Sequence, residues 1–522
     1  MKHTRVVAVL FTTSIAIATP FRSVGAQQRS NYEELQTFSG VLNYIRLNYV
    51  DSVSYHQLVR AAINGMLHAL DPHSRFESAE GWQQSQQIES GDLATVGVGL
   101  EDVDGVATVL DVAPGSPAED KGIRSGDRLI AIDDTIVTGG DVDSLMLRLA
   151  GQKGSKVRLT LERGSRIEPD SFRVTVKRDY LLSHSVTLTR EVAPGIGYIR
   201  LAEFGAEAAG EVKHALGEVE HHGAKQVILD LRHNPGGVVE SSVEVASLFF
   251  PKNTLVFRTR GRKSEVDQDF VTKRDGDFRK LPLIVLVDQG SASAAEALAA
   301  SLQDHDRALL VGRRTFGKAL EQSAFLLPSG DRVWLTVGRV LTPSGRFIQR
   351  RYEGVGMLQY LSFAGRSGAA QDTLQVYHTD HGRVVRGGGG IEPDVVLAPL
   401  PDPPVWWTVA SDSGLQQAVA DSVAYTLAAS DSARNLWEAT PARWQTEALV
   451  PFLARVRSRW GIPASADSSM DAMMALTLAA RVVGIRWGEE ARIDFLLGHD
   501  RGVRAAIARF PDLPRLLASG LN

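Results

Sequence analysis

The chain has 522 residues, 43% hydrophobic and 23% charged, with a formal net charge of -4. That length allows roughly three or four domains, and the mixed charge excludes the strongly basic face of a nucleic-acid binder. It contains no cysteine, which excludes disulfides, thiol catalysis, cysteine zinc sites and a lipid-bearing cysteine.

Lys2 and Arg5 precede an apolar run from Val6 to Thr19, and Val24-Gly25-Ala26 offers small residues before a cleavage point. Residues 1–26 therefore read as a signal peptide. The run is shorter than the ~20 residues of a bilayer span. No later stretch looks apolar enough to span. The expectation is a periplasmic or secreted protein, membrane-associated only if the signal stays uncleaved.

Residues 30–93 read as a helical segment. Leu35, Phe38, Leu42, Ile45 and Tyr49 repeat at helical spacing. Ser54 is placed to cap a second helix, which Asp71-Pro72 stops. From about 94 to 178 the pattern turns to short β-type runs, Val106–Val112, Arg128–Ile132 and Lys156–Leu161, with one helix over Val142–Leu149.

Residues 185–400 read as α/β. Val227–Leu231 and Leu283–Val287 are continuous apolar runs of the buried-strand kind, followed by helical stretches near Glu240–Phe250 and Ala294–Gln303. The alternation predicts a mostly parallel sheet with helices on its faces. Pro401-Asp402-Pro403-Pro404 signals a linker. Residues 405–522 then read as a helical domain that carries six of the eight tryptophans. Those rings suit either the domain's own core or a partner surface.

Three stretches carry chemistry. Ser293 opens a helix after the strand Leu283–Val287, so its hydroxyl faces the crevice beyond the strand end. The Ala294 N–H is free at the helix start to face an oxyanion; the bland alternative is that Ser291 or Ser293 only caps the helix. Lys318 follows a second strand, Ala308–Val311. A serine needs a neutral base, and a free lysine titrates near about 10.4. Burial beside side chains such as Phe316 lowers that value, which makes Ser–Lys chemistry available. Gln322 can accept from a neutral lysine amine, but four positions along a straight strand span about 13 Å, so the chain must bend or Lys318 must reach back. Asp230-Leu231-Arg232-His233-Asn234-Pro235-Gly236-Gly237 supplies paired glycines after a strand, a second candidate source of oxyanion N–H.

Upstream, Gly97-Val98-Gly99-Leu100 can form an anion-binding backbone nest. Downstream of it stand Gly115-Ser116-Pro117-Ala118-Glu119, Gly122-Ile123 and Ser125-Gly126-Asp127-Arg128-Leu129-Ile130-Ala131-Ile132-Asp133. This series resembles the PDZ domains of bacterial periplasmic proteases over about residues 94–178. The resemblance implies that the amides of Val98, Gly99 and Leu100 bind a peptide carboxylate. With Leu70-Asp71-Pro72-His73-Ser74, the stretches around Asp230, Ser293 and Lys318, and Gly387–Gly390 followed by Ile391-Glu392-Pro393-Asp394, the chain resembles the carboxy-terminal processing (tail-specific) serine peptidases. That family implies a crotonase-like α/β core, Ser293 as nucleophile, Lys318 as general base and Gln322 as its orienter. Ala294 and one of Gly236 or Gly237 would be oxyanion donors, with no cofactor or metal. It further implies protein substrates recognised by their C-terminal peptides, with tail binding gating the site. A homo-oligomer through the C-terminal helices and an adaptor protein stay open as partners. Two departures stand out: Ala319 occupies a position where many members have glycine, and the Arg350–Val385 segment and the tail after residue 400 differ from the best-known members.

Two other readings compete. A Ser–His–Asp hydrolase would draw on His73, His233 and Asp230, but Ser293 lacks a Gly-x-Ser-x-Gly elbow. A PDZ peptide-binding scaffold on an inactive peptidase core would not need Ser293, Lys318 and Gln322 together. The thirteen histidines are scattered and no His-Glu-x-x-His occurs, which disfavours a metal enzyme.

Overall fold

The structure, a computed structural model, describes residues 31–518 apart from 90–92, 104, 114–115, 125, 138–141, 164–168, 181–183, 356, 358–359, 361–374, 400–402 and 462–467. The signal-peptide reading of residues 1–26, and Gly115, Ser125, Pro401 and Asp402, lie outside the described residues. The chain divides into two compact units, one through Met66 and one from Leu67 onward.

The first unit holds α1 (Asn31–Asn48) and most of α2 (Tyr55–His68). Ser54 caps α2, its Oγ accepting from the Gln57 N–H at 3.0 Å. Leu35 and Phe38 are open to solvent, and within α1 only Leu42 is buried.

The second unit begins with β1 (Arg75–Glu77) and α3 (Ala79–Glu89), then a small antiparallel sheet. Its strands are β2 (Val98–Val103), β3 (Val106–Val112), β4 (Arg128–Ile132), β5 (Thr135–Ile136), β6 (Lys156–Arg163) and β7 (Asp170–Lys177), in the order β2-β3-β4-β6-β7 with β5 on β4. Helices α4 (Pro117–Asp120) and α5 (Val142–Leu149) complete it. Alternate residues such as Leu159, Leu161, Val174 and Val176 point into one core. Val98–Leu100 start strand β2 itself.

The larger body carries β8 (Val186–Ala193), β9 (Ile196–Leu201), α6 (Ala208–His221), β10 (Gln226–Asp230), α7 (Val239–Ala246), β11 (Leu255–Gly261), β12 (Gln268–Val271), β13 (Leu283–Val287) and α8 (Ala294–Asp304). After these come β14 (Leu309–Gly312), β15 (Leu320–Leu326), β16 (Arg332–Leu341), β17 (Val376–His378), β18 (Val384–Arg386) and β19 (Val395–Val396). One sheet runs β19-β14-β13-β10-β9-β8, parallel throughout except for β8. Its strands are apolar along their whole length because both faces are covered. Val227, Leu229, Val285 and Leu310 pack with α6, α7 and α8, while Ile228, Ile284, Leu286 and Leu309 between them face the other way.

The sequence pattern suggested a single sheet, but a second one is present. It is antiparallel, ordered β1-β16-β11-β12 with β15 also on β16. Its adjacent pairs, β11 with β12 and β15 with β16, are joined by strands remote in sequence, as with Arg75 opposite Trp334 and Arg258 opposite Leu341, so local periodicity could not announce the whole sheet.

The described residues from 405 onward are mainly helical, with α9 (Val405–Asp412), α10 (Leu415–Thr426), α11 (Asp431–Glu438), α12 (Val450–Trp460), α13 (Ser468–Trp487), α14 (Glu489–His499), α15 (Arg501–Arg509) and α16 (Leu513–Ala518). Trp407, Trp437 and Trp444 are buried in the core of these helices, with Trp406, Trp460 and Trp487 packed against it. The rings therefore serve the packing of these helices' own core. Contrary to the sequence expectation, α13 is long and apolar enough by composition to cross a membrane. Its Met474, Leu478, Val482 and Val483 are instead spent on that same core. Apolar packing ties these helices to the rest at two places, among other contacts. Val405 and Val409 of α9 pack into the small sheet's core, and Val503, Ala506, Phe510 and Leu513 cover the second face of the parallel sheet.

Candidate active site

The three stretches singled out in the sequence leave the C-terminal ends of neighbouring parallel strands. Residues 231–237 follow β10, 288–293 follow β13 and 313–318 follow β14. That edge of an open α/β sheet is where ligands bind. Backbone bonds zip the turns together: Ala292 N–H donates to the Asn234 carbonyl at 2.9 Å, and Phe316 N–H to the Ser291 carbonyl at 2.9 Å.

Ser291 is spent on structure, its Oγ donating to the Leu231 carbonyl at 2.7 Å and accepting from the Asp288 N–H at 3.0 Å. Ser293 differs. It is partly exposed amid buried neighbours, and its backbone sits at φ 55, ψ -116, a sparsely populated conformation that costs about 1–3 kcal/mol and clusters at functional sites.

Glu296, one turn into α8 and fully buried, joins the two candidate residues. Its Oε2 accepts from the N–H of both Ser293 (3.1 Å) and Lys318 (2.8 Å). Its Oε1 accepts from Thr315 Oγ1 (2.5 Å) and the Gly317 N–H (2.7 Å). Burial pushes this carboxyl up to about 7, against the four donors that favour its charged form. Nothing in the sequence marks this role, because an acid in a helix's first turn ordinarily reads as a dipole partner in water. Gly390 and Ile391 brace the lysine loop from behind. Ile391 N–H donates to Thr315 Oγ1 at 2.7 Å, and a Cβ on Gly390 would lie 2.3 Å from the Thr315 carbonyl.

Lys318 and Ala319 precede β15, whose register slips between Glu321 and Gln322. The chain thus bends between Lys318 and Gln322. The Gln322 side-chain nitrogen donates to the Leu320 carbonyl (3.2 Å) and Thr336 Oγ1 (3.3 Å). Ala319 has no left-handed backbone, so alanine fits where a glycine is usual, and its N–H donates to Gln349 Oε1 at 2.8 Å. The Asp71–Ser74 turn closes this side. Asp71 accepts from the His73 and Ser74 N–H groups and from Ser74 Oγ, and Ser74 Oγ in turn accepts from the Thr336 N–H at 3.2 Å. His73 Nε2 lies 2.8 Å from Tyr360 Oη. Burial, then the Lys318 charge, push the His73 imidazole down to about 3, so it is neutral.

Gly236 and Gly237 need their left-handed backbones, φ 105 and 131. A Cβ on Gly236 would lie 2.8 Å from Ser293 Cβ and 3.0 Å from the Ala294 nitrogen, so this turn abuts the start of α8. The two glycines are not equivalent. Gly236 N–H already donates to Asn234 Oδ1 at 2.9 Å, while Gly237 sits in a parallel bridge to Phe204 made by its neighbours' groups.

The Ser–His–Asp alternative does not assemble. Asp230 is engaged by Arg232 and by Tyr198 Oη at 2.7 Å, His233 Nε2 faces Asp288 Oδ2 at 3.0 Å, and His73 faces Tyr360. Among the described residues no histidine is bonded to Ser293.

In the small sheet, β2 is an edge strand alongside α5. Gly97 has φ 85, and the pairing with β3 slips between Gly99 and Leu100, a bulge of the kind that re-aims edge groups. Leu110 of β3 packs in one cluster with Phe316, Tyr352 and Tyr360, beside the lysine loop.

Known proteins match along this outline. The family description "Peptidase family S41" fits residues 195–357 and "PDZ domain" fits residues 94–176. The carboxyl-terminal-processing protease of Synechocystis sp. is 37% identical over 295 residues, 55% of this chain and 68% of that one. That of Picosynechococcus sp. is 35% identical over 325 residues, 58% of this chain and 77% of that one. A solved structure of the photosystem II D1 C-terminal processing protease is 26% identical, covering 70% of this chain and 94% of that one with a TM-score of 0.49. With a parallel-sheet body, a PDZ module and more than two thirds of these relatives' lengths covered, the chain belongs to the carboxyl-terminal-processing protease family, peptidases of family S41.

Proposed function

We propose that this protein is an exported endopeptidase that takes the C-terminal tail of a protein substrate in its PDZ module and cuts peptide bonds with Ser293 and Lys318. The observation that carries this reading is the shared Glu296 oxygen, which binds the backbone of both residues. Neutral Lys318 takes the Ser293 proton as Oγ attacks the scissile carbonyl, and returns it to the departing amine. Water then hydrolyses the acyl-enzyme. Gln322 presents its carbonyl oxygen to the lysine amine. The oxyanion is held by the N–H of Ala294 and, since Gly236 is already engaged, of Gly237.

The proposed organisation is a signal peptide over 1–26, a helical segment over 30–93, the PDZ domain over 94–178, a crotonase-like peptidase core over 185–400 and a helical domain over 405–522. The substrate carboxylate meets the amides of Val98, Gly99 and Leu100, and its strand adds to the β2 edge beside α5. Leu110, sharing a cluster with Phe316, gives a tail bound at β2 a short route to the lysine loop. The test compares Ser293→Ala and Lys318→Met with wild type on an unfolded protein substrate. Both variants should bind a tail peptide normally and cleave nothing. Undiminished cleavage by Lys318→Met would reject the dyad, and a wild type that binds tails but never cuts would favour the inactive scaffold.

A further inference from the structure

Arg232 stands at the head of the turn that carries Gly236 and Gly237, and most of its guanidinium is held from two sides. Its Nε and Nη2 donate to Asp230, the Nη2 bond measuring 2.6 Å. Its Nη1 donates to both carboxylate oxygens of Asp500, at 3.0 and 2.9 Å. Asp500 comes from the far end of the chain, where it caps α15 by accepting from the Val503 N–H at 2.8 Å. The next turn of α15 is shaped to the same contact. A Cβ on Gly502 would lie 3.0 Å from Arg232 Nη1 and 3.1 Å from Asp500 Oδ1. The helix itself is fixed, because Val503 and Ala506 are buried against the second face of the parallel sheet. The pairing is charge-assisted and two-pronged, which constrains direction as well as distance. Asp230 is held below the ordinary carboxylate range because the Arg232 charge and bonds outweigh its burial, so Asp230 and Arg232 face each other as an ion pair.

We propose that Asp500 is a positioning residue of the peptidase site, acting through Arg232 to set the 232–237 turn against Ser293, so that the C-terminal helices are a working part of the active site. This rests on the reading above in which that turn supplies an oxyanion N–H. Asp500→Asn keeps the helix cap, since asparagine caps as well as aspartate, but removes the charge and one acceptor facing Arg232. Gly502→Ala keeps both acids and presses on Arg232 instead.

With an unfolded, free-tailed substrate, each variant should lose about 10- to 100-fold in kcat, the scale of a misplaced catalytic group, with KM and tail-peptide affinity within about twofold of wild type, as expected when transition-state stabilisation alone is lost. Labelling of Ser293 by a fluorophosphonate should slow in parallel. In an Arg232→Met background Asp500→Asn should cost nothing more, because the two act as one unit. Wild-type kcat in both folded variants overturns the proposal. So does the same loss appearing again in the Arg232→Met background, or a loss that vanishes when assayed well below the variant's Tm. A wild-type chain that neither cleaves nor labels at Ser293 would instead refute the reading of the site itself.

Discussion

Replacing Glu296 probes the join between the two candidate catalytic residues. Its Oε2 serves Ser293 and Lys318, and its Oε1 serves Thr315 and Gly317. Glu296→Ala strands four buried donors, each costing about 1–3 kcal/mol, and should unfold the loops or abolish turnover. Glu296→Gln is milder and more informative. An amide can turn its nitrogen toward Thr315, whose hydroxyl oxygen can accept, leaving the Gly317 N–H and the Thr315 hydroxyl proton without the acceptor they share in Glu296. The expected cost is then about 1–3 kcal/mol of unfolding free energy. Loss of the charge-assisted bonds to Ser293 and Lys318 also loosens their spacing, and an error of about 1 Å costs on the order of 100-fold in rate. Urea unfolding and steady-state cleavage of a denatured substrate measure the two effects. Tail-peptide affinity, read by fluorescence anisotropy, should not change. If Glu296→Ala kept wild-type kcat, the carboxylate would not be what holds Ser293 and Lys318 together, and the central argument would fail.

Further outcomes are expected. Gly236→Ala should abolish cleavage and destabilise the fold by about 1–3 kcal/mol, because the new Cβ meets Ser293 and Ala294 at a left-handed position; full activity would remove the turn from the site. The His73 imidazole titrates near about 3 in the fold against its usual 6.5. The unfolded chain therefore binds that proton first, and the stability due to His73, complete above 6.5, drains by about 1.4 kcal/mol per pH unit as pH falls toward 3. The stability difference between wild type and His73→Gln should shrink over that range, and a pH-independent difference would contradict a buried neutral imidazole. Glu296 has the opposite sign: raised to about 7 from 4.5, its contribution is complete below 4.5 and declines as pH rises toward 7. A substrate amidated at its C-terminus should be cut more slowly than the same substrate with a free carboxylate, and Leu110→Ala should narrow that gap by loosening the contact with Phe316; equal rates for both substrates in wild type would reject tail gating.

The elements whose local pattern was strong could be read from the chain alone. Leu283–Val287 is apolar throughout because a strand covered on both faces admits nothing else, and it is β13 residue for residue. Val142–Leu149 likewise matches α5. Ser293 and Lys318 could be nominated because their surroundings form short contiguous motifs. Packing decided what those motifs become. Glu296 is a solvent-type acid by position until the loops after β13 and β14 close over it. Gly236 and Gly237 are alike in sequence, and only the Asn234 bond separates them. The antiparallel sheet joins Arg75 to Trp334, and Asp500 meets Arg232 across most of the chain. Periodicity reports which face of an element is buried, since that is set by neighbours a few residues away. Which remote group then stands opposite depends on how whole elements close upon each other, and no local pattern encodes that.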